Sequence, residues 1–141
     1  MAAYTKFHDY AEQKNRAVHN WGSHTFKLAL SNTAPSQGNS ILTDITQISA
    51  GNGYTAGGAA LTGVSISETS GTVTVQANQV TFTASGGAIA AFRYYVLYND
   101  TAASDNLVAF WDHGAAVNLA DGDSFVVKFN NASPGTIFTD S

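Results

Sequence analysis

The groups in this chain that could do chemistry are four histidines, ten carboxylates and one glycine-rich stretch. A metal centre needs convergent ligands, yet His8, His19, His24 and His113 include no pair four residues apart and no His-Glu-x-x-His motif. Asp112-His113 is adjacent in sequence and reads as a capped turn rather than a site. The run Gly51-Asn52-Gly53-Tyr54-Thr55-Ala56-Gly57-Gly58 lacks the Gly-Lys-Ser/Thr of a phosphate cradle, and no strand-then-helix context surrounds it. No Lys or Arg lies between Lys27 and Arg93 to pair a phosphate, so a surface loop is the expectation there. Acyl hydrolysis has no Gly-x-Ser-x-Gly elbow and no cysteine to use. Paired carboxylates for glycoside cleavage would have to come from Asp44, Glu68, Asp100, Asp105, Asp112, Asp121, Asp123 or Asp140, most of which fall in expected turns. The chain is therefore expected not to be an enzyme, and to use no cofactor, metal or small-molecule substrate.

Composition narrows the partners. Only 11% of the 141 residues are charged, against about 25% in ordinary soluble domains, and Ser, Thr, Asn and Gly fill the polar positions. Such a surface is weakly protected against association, because interspersed charge normally supplies the repulsion. Two readings follow: a surface built to touch other proteins, or the Thr/Ser/Gly-rich faces common to small β-domains that stay solitary. A net charge of −4 with six basic residues argues against nucleic acid, which demands clustered cations. No run of about 18 apolar residues suggests a membrane span, and 1–7 carries no signal-like apolar core. Synthesis and folding in the cytosol are expected, with neither disulfides nor thiolate metal sites available.

The length suits one domain with its own core. Within it, an N-terminal arm over 1–22 differs from the remainder, 23–141. Lys6, Lys14, Arg16 and Lys27 outnumber Asp9 and Glu12 in the first 30 residues, giving +2, whereas 31–141 carries −6. Phe7, Tyr10, Ala11, Ala17, Val18 and Trp21 recur at helical spacing, which predicts a short helix with Thr5 as N-cap and Gly22 at its end. This stripe either plugs an open end of a β-core or docks on a neighbouring acidic subunit.

From His24 onward the period is two. Strands are predicted over 24–30, 61–68, 72–76, 79–84 with Val80 and Phe82 inward, 88–99, 107–112, and 124–130 with Phe125, Val127 and Phe129 on one face. The 88–99 segment is apolar or aromatic on both faces, as in a central strand covered on both sides or covered on one by a partner. Turn signals stand at Ser70-Gly71, 85–87, 99–106, His113-Gly114 and Asp121-Gly122, the last being the strongest hairpin candidate. The stretch 32–60 is predicted irregular apart from a strand within 41–48. The fold class is all-β, an antiparallel β-sandwich or jelly roll with a short N-terminal helix or arm. Asn99-Asp100-Thr101 and Asn131-Ala132-Ser133 match the glycosylation sequon, read as accidental without a secretory signal.

Four phrases carry a family likeness: His24-Thr25-Phe26-Lys27-Leu28-Ala29-Leu30-Ser31-Asn32-Thr33, Asp44-Ile45-Thr46-Gln47-Ile48, the 51–58 run, and Phe92-Arg93-Tyr94-Tyr95-Val96-Leu97-Tyr98-Asn99-Asp100-Thr101. They resemble a family of small virion structural proteins of tailed bacteriophages, and the Pro134-Gly135 ending departs from the acidic strand ending of that pattern. The resemblance implies a capsid decoration, or cement, protein on the outer capsid surface, made in the host bacterial cytoplasm. Its partners would be the major capsid protein and sister copies in a homodimer or homotrimer. Expected interface residues are Lys6, Lys14, Arg16 and Trp21 of the arm and Phe92, Tyr94 and Tyr98 of the aromatic strand, with the glycine-rich loop projecting. The alternative is a tail or fibre component that binds carbohydrate on platforms such as Tyr54 or Trp111.

Overall fold

A computed structural model describes residues 3–140. Ten strands and one helix follow in the order β1 (Thr5–Lys6), α1 (His8–Asn15), β2 (Phe26–Ser31), β3 (Ala59–Ala60), β4 (Ser65–Thr69), β5 (Thr72–Ala77), β6 (Val80–Thr83), β7 (Ile89–Asn99), β8 (Leu107–Leu119), β9 (Ser124–Val127) and β10 (Gly135–Asp140). Short 3-10 turns occupy Leu42–Asp44 and Phe129–Asn131. The strands pair antiparallel throughout, in a five-stranded sheet β1-β8-β7-β2-β3, a three-stranded sheet β10-β5-β4 and a ribbon β6-β9. The fold is all-β and sandwich-like. A jelly roll would divide eight strands between two sheets; the grouping here is five, three and two.

The main core lies where the five-stranded sheet meets the other two. Leu28 and Leu30 of β2, Val75 of β5, Phe82 of β6, Phe92 and Leu97 of β7, Val108 and Trp111 of β8, Val127 of β9 and Ile137 of β10 pack there together. Burying each such side chain contributes about 1.5–3 kcal/mol. The opposite face of the large sheet is covered too: Phe7, Ala29, Ile45, Val96, Tyr98 and Leu107 form a second cluster, with Leu42 and Phe110 against it. Thus β7 is central and covered on both sides by its own chain.

A bulge sets which β7 residues face which layer. Phe92 opposes Val117 while Tyr94 opposes Asp112, so a two-residue step on β7 answers five on β8. Residues 113–116 are pushed out to solvent, with Gly114 at φ +97 allowing the bend. The alternation slips, and Phe92 joins Tyr95 and Leu97 in the main core instead of siding with Val96 and Tyr98. His113-Gly114 is therefore a bulge inside a long strand, not the turn that its residue types suggested.

Other expectations are corrected similarly. Thr5 is a strand residue, opposite Phe110, because β1 must pair with β8 to deliver Phe7 into the second cluster. The helix starts after an extended Phe7 and ends long before Gly22: Ala17 adopts φ +62, donating to Lys14 O, while the Val18 N–H reaches Gln13 O. These two bonds are a Schellman ending with alanine in the position glycine prefers. Asp121-Gly122 does not join paired strands, since β8 pairs with β7 and β9 with β6. It is a crossing between layers, tied down where Gly122 N–H meets Ala84 O. The tight hairpin is instead Ser70-Gly71, with φ +52 and +84 closing β4 on β5.

The 32–60 stretch holds only the 3-10 turn Leu42–Asp44 and β3 as regular elements, with no strand within 41–48, and it does not project. Tyr54 is buried, its hydroxyl accepting Leu30 N–H at 3.1 Å and donating to Gln47 Oε1 at 2.8 Å. Gln47 Oε1 also accepts Gly57 N–H, and the Tyr98 hydroxyl donates to Gly57 O at 2.6 Å. Gly58 presses so close to β2 that an added Cβ would lie 1.9 Å from Leu28 O. The glycines of 51–58 serve close packing of backbone on sheet.

Candidate interaction surface

The N-terminal segment is folded into the body. Phe7, Tyr10 and Trp21 are buried, and Trp21 stacks on Phe26 with ring centroids 3.6 Å apart and planes 5° from parallel. Its indole N–H donates to the Tyr10 hydroxyl at 2.9 Å, and burial pushes that phenol up to about 12, partly offset by the indole. Trp21 thus serves the interior, which corrects its assignment to a partner. The same holds for Phe92 and Tyr98, both enclosed, and nearly so for Tyr94, 9% exposed with the Arg93 guanidinium over its ring. Central strand position, not partner contact, explains the aromatic density of β7.

The cations separate into different roles. Lys14 pairs with Asp140 at the end of β10, holding that carboxyl below its usual range, with Lys6 adding to the effect. Arg16 reaches back to Glu12 at 2.8 Å on the exposed helix flank. Lys27 meets Asp100 at 3.3 Å, and Arg93 forks onto Asp112 at 2.7 and 3.1 Å. The hydrogen bonds from Arg93 hold the Asp112 carboxyl low, helped by Gly114 N–H. Exposed pairs of this kind contribute little to stability, typically about 0–1 kcal/mol.

Lys6 and Lys14 do come together, along the seam between the edge strands β1 and β10. Tyr4 lies there, 39% exposed, with its ring 6.4 Å from both Trp111 and Phe138. One hollow of about 80 Å³ runs from Tyr4 and Lys6 to Lys14 and Asp140. A second, about 440 Å³, opens past Tyr4 over Trp111, Phe129 and Phe138. Round the helix side a third, about 360 Å³, is floored by Trp21, Val75 and Phe138 and bordered by Ile66, Lys14 and Asp140. The seam is apolar at its base and sparsely charged at its rim. Sequence reasoning missed Tyr4 and Ile66 because a lone tyrosine before the helical stripe and an isoleucine in strand alternation both look like ordinary inward residues.

Behind the helix lies a polar junction. Asn99 is fully buried; its Nδ2 lies 3.2 Å from Val18 O, 3.2 Å from His19 Nδ1 and 3.0 Å from His24 Nδ1. An amide nitrogen only donates, so an imidazole that takes one of its two hydrogens does so at Nδ1 with its own N–H on Nε2. His19 Nε2 is buried without a hydrogen-bond partner. Burial, reinforced by His24, pushes the His19 imidazole down to about 4.

Among the described residues, no group of three or more His, Asp or Glu could hold a metal. Asp112 is committed to Arg93, and His113 Nδ1 sits 3.1 Å from the Tyr95 hydroxyl. Tyr54 and Trp111 are each 3% exposed and offer no flat platform to a sugar. No helix among the described residues is long and apolar enough to cross a membrane. No family model, curated protein or solved structure matches the chain. What the fold and surface define is an all-β, sandwich-like domain with one short helix.

Proposed function

We propose that this chain is a noncatalytic structural component of a tailed-bacteriophage particle, a capsid decoration protein that binds the outer shell and stabilises it. The observation that carries the reading is the β1–β10 seam, where exposed Tyr4 and the rings beneath it meet Lys6 and Lys14 on an otherwise weakly charged surface. An aromatic anchor beside Lys6, with Lys14 shared with Asp140 at the rim, suits a shell face that offers carboxylates. Sparse charge lets many copies crowd on one lattice without strong mutual repulsion, and clustered weak contacts multiply into firm retention. The major capsid protein is the partner in this reading, with sister copies beside it. A sugar-binding fibre tip is less favoured, since Tyr54 and Trp111 are interior.

The test is co-sedimentation of purified protein with expanded empty heads and, separately, with tails. Binding to heads at a copy number near that of the major capsid protein, lost in a Tyr4→Ala/Lys6→Glu double variant, is the expected result. Binding to tails alone, or to neither, overturns the reading.

A further inference from the structure

Sheet edges are exposed templates for pairing, and folded proteins blunt them with brevity, charge, proline or bulges. Most edges here are blunted. β1 and β3 are two residues each, β10 is interrupted by a register shift between Thr136 and Phe138, and Thr83 at the end of β6 is overlain by Gly53. Two edges are left open, the four-residue β9 and β4, and β4 is the longer. All five of its residues are exposed, its register with β5 is unbroken, and it carries no Lys, Arg or Pro. Its one charge, Glu68, curls toward the turn, where Oε2 accepts Gly71 N–H at 2.7 Å.

The hairpin decides which groups of β4 are free. Thr69 and Thr72 flank a two-residue turn, so that closing pair exchanges both of its hydrogen bonds, and the pattern alternates from there. Ser65, Ser67 and Thr69 therefore spend their backbone groups on β5, while Ile66 and Glu68 present N–H and C=O outward. Ile66 is also the most exposed large apolar residue described, at 47%.

We propose that β4 pairs antiparallel across a two-fold axis with β4 of a second copy of this chain, placing Ile66 opposite Ile66. That register sets outward groups against outward groups, two hydrogen bonds joining the central pair. It joins the isoleucines on the face that already holds Val73 and Val75, making one apolar strip across both hairpins. The same register aligns each Glu68 with position 64 of the other copy, about 14 Å along the strand from the like charge. This exceeds the roughly 8 Å screening length at physiological salt, so the acids do not oppose closure. Self-match in hydrogen bonding, apolar contact and charge is what selects a second copy over an unrelated strand. The inference supplies the sister-copy contact of the proposed function but stands apart from the shell: a dimer that ignores heads would sink only that function, and a monomer that binds heads would sink only the dimer.

Sedimentation equilibrium of the full chain from about 1 µM to 1 mM, the range of weak to moderate affinity, tests it. A monomer–dimer equilibrium is expected, with slowed amide exchange at Ile66 and Glu68 as concentration rises. Ile66→Pro removes an outward donor and Ile66→Lys adds an edge charge; each is expected to weaken the dimer by about tenfold or more. A wild-type chain monomeric at the highest concentration overturns the proposal. So does a dimer whose exchange protection lies elsewhere, or one that both folded variants leave intact.

Discussion

Trp21 lies flat on Phe26, and through that contact a segment without regular structure is fastened to the first long strand of the main sheet. The pair also meets Phe138 edge-on, 5.4 Å from the indole, so both layers share it. Trp21→Ala is expected to cost about 3–5 kcal/mol by large-to-small truncation. Trp21→Phe keeps a ring but loses the N–H to Tyr10, and its cost should be nearer 1 kcal/mol. Urea midpoints of the two variants check the ranking; equal losses would mean that the hydrogen bond, not the stack, is the fastening.

Acid should loosen the junction at His19. Its folded pKa, about 4, lies below the ordinary 6.5, so the unfolded chain binds the proton first. Stability from this group is complete above about pH 6.5 and is lost as pH falls toward 4. At pH 5 the loss is about 2 kcal/mol relative to pH 7. Denaturant titrations at both pH values give the measurement, and His19→Gln should flatten most of the difference.

Ala17 is strained where glycine would rest. Its φ of +62 at the Schellman position costs an L-residue about 1–2 kcal/mol, offset in part by the greater unfolded freedom of glycine. Ala17→Gly should therefore stabilise the chain by about 0.5–1 kcal/mol. A thermal midpoint that falls instead would show that the methyl packs usefully.

Two glycines with positive φ should respond very differently to a methyl. At Gly58 the new Cβ would strike Leu28 O and the backbone of Ala29, whereas at Gly71 it meets nothing within 4 Å. Gly71→Ala is expected to cost about 1 kcal/mol from conformation alone. Gly58→Ala should exceed about 3 kcal/mol and open 51–58 to proteases, because neither backbone can yield. Limited proteolysis alongside melting curves separates the two effects.

The legibility of the chain follows from how local each signal is. Alternation located β2, β5, β6 and β9, and the doubly apolar 88–99 run marked the central strand, because burial on two faces leaves no polar stripe. The β8 bulge was not legible: it depends on mismatch between two distant segments, and only the register shows that Phe92 turns inward with Tyr95. Helix termination failed for a related reason, since glycine is preferred but not required in the left-handed position, and Ala17 holds it. Of the expected interface, Lys6 and Lys14 share a seam, while the aromatics that made β7 conspicuous were core. An exposed edge such as β4 has no composition of its own to announce it.

Asn99 holds three acceptors with two hydrogens, while its Oδ1 accepts the N–H groups of Thr101 and Ala102. Hydrolytic ageing of that one amide to a carboxylate would take away both amide hydrogens and leave two imidazoles facing a negative oxygen. His19 would then welcome the proton it now refuses. A single lost ammonia would thus turn an acid-sensitive joint into one that tightens in acid.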